Sequence, residues 1–205
     1  PPAPPRFSTP PLHDILPIFK FSPIPNANGQ NTPMSTATDP KGPWTHTQMK
    51  RGFHDLSVLF DDDGKAYVVW GHQDMHLAQL TDDLTDVVPG TERAVFTADA
   101  GMGEGAHFYK IDGKYYIISA EYAGGFRMPA ARADHVLGPY EVNRAISLHE
   151  DFGMASGKRL GDPKPPFGTW GPDAPAKHSL ALHQGGIVQT PAGGWWGFAL
   201  MDFNS

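Results

Sequence analysis

Three stretches of the sequence share one pattern and decide the fold: 54–71 (HDLSVLFDDDGKAYVVWG), 104–120 (EGAHFYKIDGKYYIISA) and 183–200 (HQGGIVQTPAGGWWGFAL). Each holds a short run of β-branched or aromatic residues, then a turn that contains glycine, then a second run rich in aromatics. Asp63-Gly64 and Asp112-Gly113 predict hairpin turns, because glycine tolerates the positive φ that primed turns require. Each stretch is therefore predicted to form an antiparallel hairpin.

The hairpins recur at a spacing that is typical of propeller blades. Gly64 and Gly113 lie 49 residues apart, and the Gly-Pro-aromatic motifs at 42–44 and 138–140 lie 96 residues apart, close to twice that period. No segment keeps a helical apolar period, so the chain is predicted to be all-β. A period of about 50 residues with four short strands per unit indicates a β-propeller.

The prolines divide the chain into two regions. Twelve of the 21 prolines fall within the first 43 residues. Residues 1–26 are predicted to be irregular, because proline lacks an N–H and biases the preceding residue toward extended geometry. Residues 27–205 are predicted to form the propeller. At roughly 50 residues per blade the chain supplies about four blades, so we expect the propeller to be incomplete in this chain.

Composition excludes several classes of function. The formal net charge is −6 and no run of Lys or Arg occurs, which argues against a nucleic-acid or anionic-membrane partner. The chain has no cysteine, so disulfides, thiolate zinc sites and cysteine nucleophiles are excluded. No apolar run approaches the roughly 18 residues of a membrane span. His72 and His76 have the spacing of a helical zinc site, but their position between predicted strands argues against one.

Ionisable residues begin the innermost strand of each predicted blade. Asp55 and Glu104 each precede their hairpin glycine by nine residues, and His183 precedes Gly193 by ten. Equivalent positions of a propeller meet at one mouth of the channel, so these side chains are expected to converge. The glycines around Glu104 are expected to let a ligand approach the backbone. The alternatives are a strand-start turn or capping carboxylate for Asp55, a solvated loop carboxylate for Glu104 and a satisfied core histidine for His183.

Two carboxylates at a small concave site suit glycoside hydrolysis. One carboxylic acid must protonate the leaving oxygen, and a neighbouring carboxylate raises its pKa by like-charge repulsion. A second group must activate water. Aromatic rings could stack on the sugar, and the candidates are Phe53, His54 and Trp70; for Trp70 the competing interpretation is packing between blades.

Several motifs in order resemble glycoside hydrolase family 43. Asp55-Leu56-Ser57 with 60–67 (FDDDGKAY) resembles the second-blade motif, and 104–110 (EGAHFYK) resembles the acid motif of the third blade. Ala131-Arg132 with 138–141 (GPYE), and 183–186 (HQGG) with 189–191 (QTP), fit the same pattern. The resemblance covers about residues 27–205.

The resemblance implies a five-bladed propeller that acts, with inversion, on arabinose- or xylose-bearing plant polysaccharides. It implies that Glu104 is the general acid and that Asp55 raises the pKa of Glu104 and orients it. His183 would hold a cation, often calcium through waters, in the channel. We also expect a secreted protein, because polymeric plant glycans lie outside cells.

One expected element has no match in the sequence. Members of the family carry a general-base Asp on the first blade, whereas Asp14 lacks the strand and hairpin pattern that should follow such a residue. The base is therefore unassigned. The alternatives are a non-catalytic glycan-binding propeller, an inactive fragment, or a scaffold propeller of the kelch kind. Oligomeric state is not predicted.

Overall fold

The computed structural model describes residues 18–21, 31–121, 128–143 and 182–201. A single 3-10 turn, Ala98–Ala100, interrupts an otherwise all-β structure in these ranges. The strands are β1 (Ile18–Phe21), β2 (Pro33–Ala37), β3 (Thr45–Gln48), β4 (Ser57–Phe60), β5 (Ala66–His72), β6 (Asp74–Gln79), β7 (Arg93–Phe96), β8 (Glu104–Ile111), β9 (Lys114–Ala120), β10 (Ala130–Ala133), β11 (Glu141–Asn143), β12 (Leu182–Gln189) and β13 (Trp195–Met201).

The strands form four antiparallel meanders in chain order, as the blades of a propeller do. Their strand orders are β1-β2-β3, β4-β5-β6-β7, β8-β9-β10-β11 and β12-β13. The prediction of an all-β chain is thereby confirmed, and both Gly-Pro motifs precede the last strand of a sheet, β3 and β11. Within the described ranges, no helix combines the length and the hydropathy needed to cross a bilayer.

The first sheet begins earlier in the chain than expected. Strand β1 lies inside the segment 1–26 that is predicted to be irregular, and it pairs with β2 from Ile18↔Ala37 to Phe21↔Met34. The reason is local, since Ile18–Phe21 is a proline-free run between Pro17 and Pro23 and has residues that favour strands. The rest of that segment lies outside the described residues.

The hairpin turns are of two kinds. Asp112 and Gly113 both have positive φ, 50° and 75°, which is the two-residue primed turn expected from the sequence. In the first hairpin only Gly64 has positive φ, 80°. The N–H of Asp61 donates to the carbonyl of Lys65 across three intervening residues. The third hairpin repeats this longer form with Gly193.

Two apolar clusters hold the first three sheets together. Strand β5 contributes to both, because Ala66, Val68 and Trp70 face the first sheet while Tyr67 and Val69 face the third. Strand β5 is therefore buried on both faces, and each of residues 66–71 is buried. Apolar area removed from water on both faces is the main stabilising term for this part of the fold.

Polar contacts between sheets place the first strands of the blades side by side. The Ser57 hydroxyl in β4 accepts a hydrogen bond, 3.1 Å long, from the N–H of Phe108 in β8. The Tyr109 hydroxyl in β8 in turn accepts one of 3.0 Å from the N–H of Ile187 in β12. Strands β4, β8 and β12 are consequently the inner strands, which lie toward the channel of the propeller.

Candidate active site

Four ionisable side chains meet at the start of the inner strands. Glu104 is the first residue of β8, and its Oε2 lies 2.8 Å from Nε2 of His54. The same His54 nitrogen lies 3.6 Å from Oδ2 of Asp55. Nε2 of His72, at the end of β5, lies 3.9 Å from Oε2 of Glu104. The structure therefore brings together Asp55 and Glu104, as predicted, with two histidines between and beside them.

The two carboxylates of the site are less exposed to solvent than the two histidines. The side chains of Asp55 and Glu104 are 23% and 22% exposed, whereas those of His54 and His72 are 51% and 55% exposed. The carboxylates thus lie at the floor of the site and the imidazoles form its rim. A ligand that enters from solvent meets the histidines before it reaches Glu104.

Backbone hydrogen bonds fix the segments that carry these side chains. The N–H of Gly71 donates to the carbonyl of His54 at 3.0 Å. The N–H of Gln73 donates to the carbonyl of Gly103 at 2.8 Å. The end of β5 is therefore tied both to the loop before β4 and to the residue that precedes Glu104.

The turn lengths correct the sequence register by one residue. Glu104 lies seven residues before Ile111, the last paired residue of its strand, and His54 lies seven residues before Asp61. His183 likewise lies seven residues before Thr190. Equivalent positions are therefore held by His54, Glu104 and His183, because the first and third turns are one residue longer than the second.

Asp55 reaches the site one position later than Glu104 does. It precedes β4 by two residues and has φ 47°, and the next residues in the other blades, Gly105 and Gln184, also have positive φ, 64° and 44°. The left-handed backbone at this position bends the chain at each strand start. Asp55 and Glu104 therefore converge by a shared bend rather than by identical register.

The glycines beside Glu104 serve the protein rather than a ligand. A Cβ at Gly103 would lie 1.7 Å from the carbonyl oxygen of Ala120, and a Cβ at Gly105 would lie 2.7 Å from the side chain of Gln184. The expectation that these glycines open space for a ligand is thus wrong at both positions, because neighbouring strands occupy that space.

Two of the three aromatic candidates are core residues. Phe53 is fully buried, and its ring meets Trp70 edge to face with centroids 4.9 Å apart. Trp70 is 9% exposed and stacks on His76. Neither ring offers a face to a sugar, which corrects the prediction for both. His54 is exposed at the rim, and its contact with substrate stays a prediction.

Two further histidines concern this site: His183, which the sequence predicts, and His72, which it does not. The backbone of His183 pairs with Leu200 in the fourth sheet, but its side chain lies outside the described residues, as does Asp14. His72 was not predicted at this site. The signal that could have found it is its place directly after Gly71, which pairs with the segment that leads to Asp55.

The short distance between the Asp55 and Glu104 carboxylates limits the catalytic roles that they can share. One oxygen each of Asp55 and Glu104, with Nε2 of His54, lie within 4.8 Å of one another. Inverting glycosidases hold acid and base about 6.5–9.5 Å apart, to leave room for water. The His54 nitrogen also occupies the gap between them. Asp55 is therefore too close to Glu104 to act as the base of an inverting pair.

The family comparison agrees with this arrangement. A family model described as glycosyl hydrolases family 43 matches residues 24–201. This chain belongs to glycosyl hydrolase family 43. A putative β-xylosidase of Escherichia coli is 30% identical over 84% of this chain and 31% of that protein. A non-reducing end α-L-arabinofuranosidase of Bacteroides ovatus is 29% identical over 80% of this chain and 28% of that protein.

Solved structures support the same architecture. A bifunctional family 43 protein of Bacteroides eggerthii superposes with a TM-score of 0.63 and 28% identity, over 89% of this chain and 20% of that one. The prediction of a five-bladed propeller, incomplete in this chain, is confirmed by this match. This chain thus spans less than a third of the length of each of these three relatives.

Proposed function

We propose that this chain carries the general acid of a glycoside hydrolase active site that releases L-arabinofuranose or D-xylose. The substrate class is plant cell-wall polysaccharide such as arabinoxylan or arabinan. The single observation that carries the proposal is the Glu104 carboxyl at the start of an inner strand, bonded to His54 at 2.8 Å and close to Asp55. The names of the relatives, β-xylosidase and α-L-arabinofuranosidase, support the substrate class.

Glu104 is the general acid in this proposal. Its carboxylic proton passes to the glycosidic oxygen as the bond from that oxygen to the anomeric carbon breaks. A water molecule attacks the anomeric carbon from the opposite face, which inverts the configuration, and it gives its proton to a base that is not assigned in this chain. The sugar leaves as a hemiacetal and the remaining chain leaves as an alcohol.

His54 and Asp55 position the acid. The hydrogen bond between His54 and Glu104 engages one carboxyl oxygen, Oε2. In this proposal the other oxygen, Oε1, carries the proton to the leaving group. Asp55, whose Oδ2 lies 3.6 Å from the same imidazole nitrogen, orients that ring. General-acid catalysis requires a proton donor held within hydrogen-bond reach of the leaving oxygen.

Calcium and a secreted location belong to the same proposal. A cation at His183, whose side chain lies outside the described residues, would be held through water molecules. The proposal of secretion is based on the substrate alone, since plant polysaccharides lie outside cells.

Substitution of Glu104 tests the proposal. Glu104→Gln keeps the shape of the side chain but removes the transferable proton, so release of pentose from arabinoxylo-oligosaccharides should fall about 10²- to 10⁴-fold. Glu141→Gln is the matched control, because that side chain is 82% exposed on an outer strand. Product chromatography and circular dichroism are measured for all three proteins. Equal activity of the two variants would overturn the assignment of the acid.

Substitution of Asp55 tests its positioning role. Asp55→Asn removes a negative charge beside the acid, so the rate should fall about 10- to 100-fold. The loss should fall on kcat rather than on KM, because Asp55 acts through His54 and not on the substrate in this proposal. An unchanged kcat in the folded variant would contradict the prediction.

A further inference from the structure

The cluster around Glu104 has the composition of a transition-metal site. It offers two imidazole nitrogens, Nε2 of His54 and Nε2 of His72, and two carboxylate oxygens, from Asp55 and Glu104. Imidazole with carboxylate is a donor set that zinc accepts, whereas calcium and magnesium prefer oxygen alone. The general-acid role of Glu104 needs only one of these histidines.

Distances between the donors fit a single small ion. Zinc bonds of about 2.0–2.2 Å in a tetrahedron separate neighbouring donors by roughly 3.2–3.6 Å. The observed separations are 2.8 Å from His54 to Glu104, 3.6 Å from His54 to Asp55 and 3.9 Å from His72 to Glu104. The donor atoms of His54, Asp55 and Glu104 lie within 4.8 Å of one another, and rotation of the exposed His72 side chain, whose Nε2 is 3.9 Å from Glu104, would add the fourth ligand.

The backbone holds the donors in place without the ion. His54 and His72 are linked through the hydrogen bond from Gly71 to the carbonyl of His54, and their rings lie 5.9 Å apart at 70°. The bend at Asp55, with φ 47°, directs the chain after His54. A site that is assembled before its ligand arrives loses little entropy on binding.

We propose that His54, Asp55, Glu104 and His72 bind one divalent transition-metal ion of the zinc class at the mouth of the channel. Metal binding takes up the carboxylate of Glu104. This part of the inference rests on the proposed function: a metal bound to the Glu104 carboxylate blocks proton donation to the leaving group, so the metal is a reversible inhibitor of hydrolysis.

Zinc binding is measured directly, in the absence of substrate. Isothermal titration of the 205-residue chain with zinc chloride should give one ion per chain at this site. His54→Ala and His72→Ala should each weaken binding at least about tenfold. His135→Ala is the control, because His135 is exposed and lies outside the cluster, and it should bind as the parent does. Circular dichroism confirms that each variant is folded.

Cobalt reports the geometry of the same site. Co²⁺ added to the parent should give the intense visible absorption of a four-coordinate ion, and Zn²⁺ should abolish it, whereas Ca²⁺ should not. Absence of zinc binding by the folded parent, or equal binding by the parent and both histidine variants, would overturn the proposal.

An activity arm separates this inference from the proposed function. Zinc should inhibit pentose release, a chelator should restore it, and His72→Ala should need more zinc for the same inhibition. If zinc binds through the histidines and no hydrolysis is detected, the metal site stands and the proposed function fails. If Glu104→Gln abolishes hydrolysis and zinc does not bind, the function stands and the metal site fails.

Discussion

At the scale of single residues, Gly103 has the strongest steric constraint in the active site. Its φ is 64°, and its missing Cβ is what allows the carbonyl of Ala120 to approach. Gly113 has a similar φ, 75°, but nothing lies within 4 Å of the position of its Cβ. Comparison of substitutions at the two glycines therefore separates the cost of a left-handed backbone from the cost of a steric clash.

Alanine at these positions should have unequal effects. Gly113→Ala adds only left-handed strain and should cost about 1–2 kcal/mol of unfolding free energy. Gly103→Ala adds a clash with backbone and should cost about 1–3 kcal/mol more, because strand β9 must move away. Urea unfolding of both variants measures the difference. Equal destabilisation would mean that the approach of Ala120 does not constrain the site.

At the scale of elements, the first hairpin is joined to the third sheet by a buried carboxylate. The side chain of Asp61 is 4% exposed, pairs with the ammonium of Lys110 and accepts a hydrogen bond of 2.7 Å from the hydroxyl of Tyr115. Burial alone would raise the pKa of Asp61, but hydrogen bonds from Lys110, Tyr115 and the N–H of Asp62 outweigh it and lower the pKa below 3.8. The hairpin turn thus also positions the second sheet against the third.

Stability should therefore depend on pH through Asp61. Because its folded pKa is lowered, its contribution is present above the unfolded value of 3.8 and is lost as the pH falls through the folded pKa. Asp61→Asn should reduce the unfolding free energy at pH 7 by about 1–3 kcal/mol and should flatten its decline between pH 5 and pH 3. Urea unfolding at both pH values measures this.

Asp62→Asn is the matched control for this prediction. Asp62 also lies near Lys110, with its Oδ2 3.0 Å from the ammonium, but its side chain is 88% exposed. Exposed pairs contribute little, so the control should keep the acid dependence of the parent. Loss of that dependence in the control, and its persistence in Asp61→Asn, would contradict the argument.

At the scale of the molecule, no residue of the fourth sheet whose burial is described belongs to the two apolar clusters that join the first three sheets. Tyr109 links the third and fourth sheets through its hydroxyl and the N–H of Ile187, and the ring of His107 meets Phe198 edge to face at 5.5 Å. Burial at this contact lowers the pKa of His107. Trp196, two residues before Phe198 on the same face of β13, is 67% exposed.

Removal of the Tyr109 hydroxyl should loosen this contact locally. Tyr109→Phe leaves the N–H of Ile187 without its acceptor, which should cost about 1–3 kcal/mol. Hydrogen exchange followed by mass spectrometry should quicken in β12 and stay unchanged in β5, which is buried on both faces. Uniform acceleration in both strands would indicate that the four sheets unfold as one unit.

The sequence by itself determined the strand pattern, the blade period and the convergence of Asp55 and Glu104 at one mouth of the channel. Alternation and turn glycines are local properties, so the hairpins predicted within 54–71 and 104–120 are found as the strand pairs β4-β5 and β8-β9. The family followed from several such motifs in order. Local pattern also sufficed to place β5 within a blade.

Only the tertiary structure decided which side chains face the site. The one-residue difference in turn length made His54, rather than Asp55, equivalent to Glu104, and alternation then placed Phe53 in the core. His72 joined the cluster because a backbone hydrogen bond brings the end of β5 to the segment before β4. These facts depend on contacts between residues far apart in the chain, which no local pattern encodes.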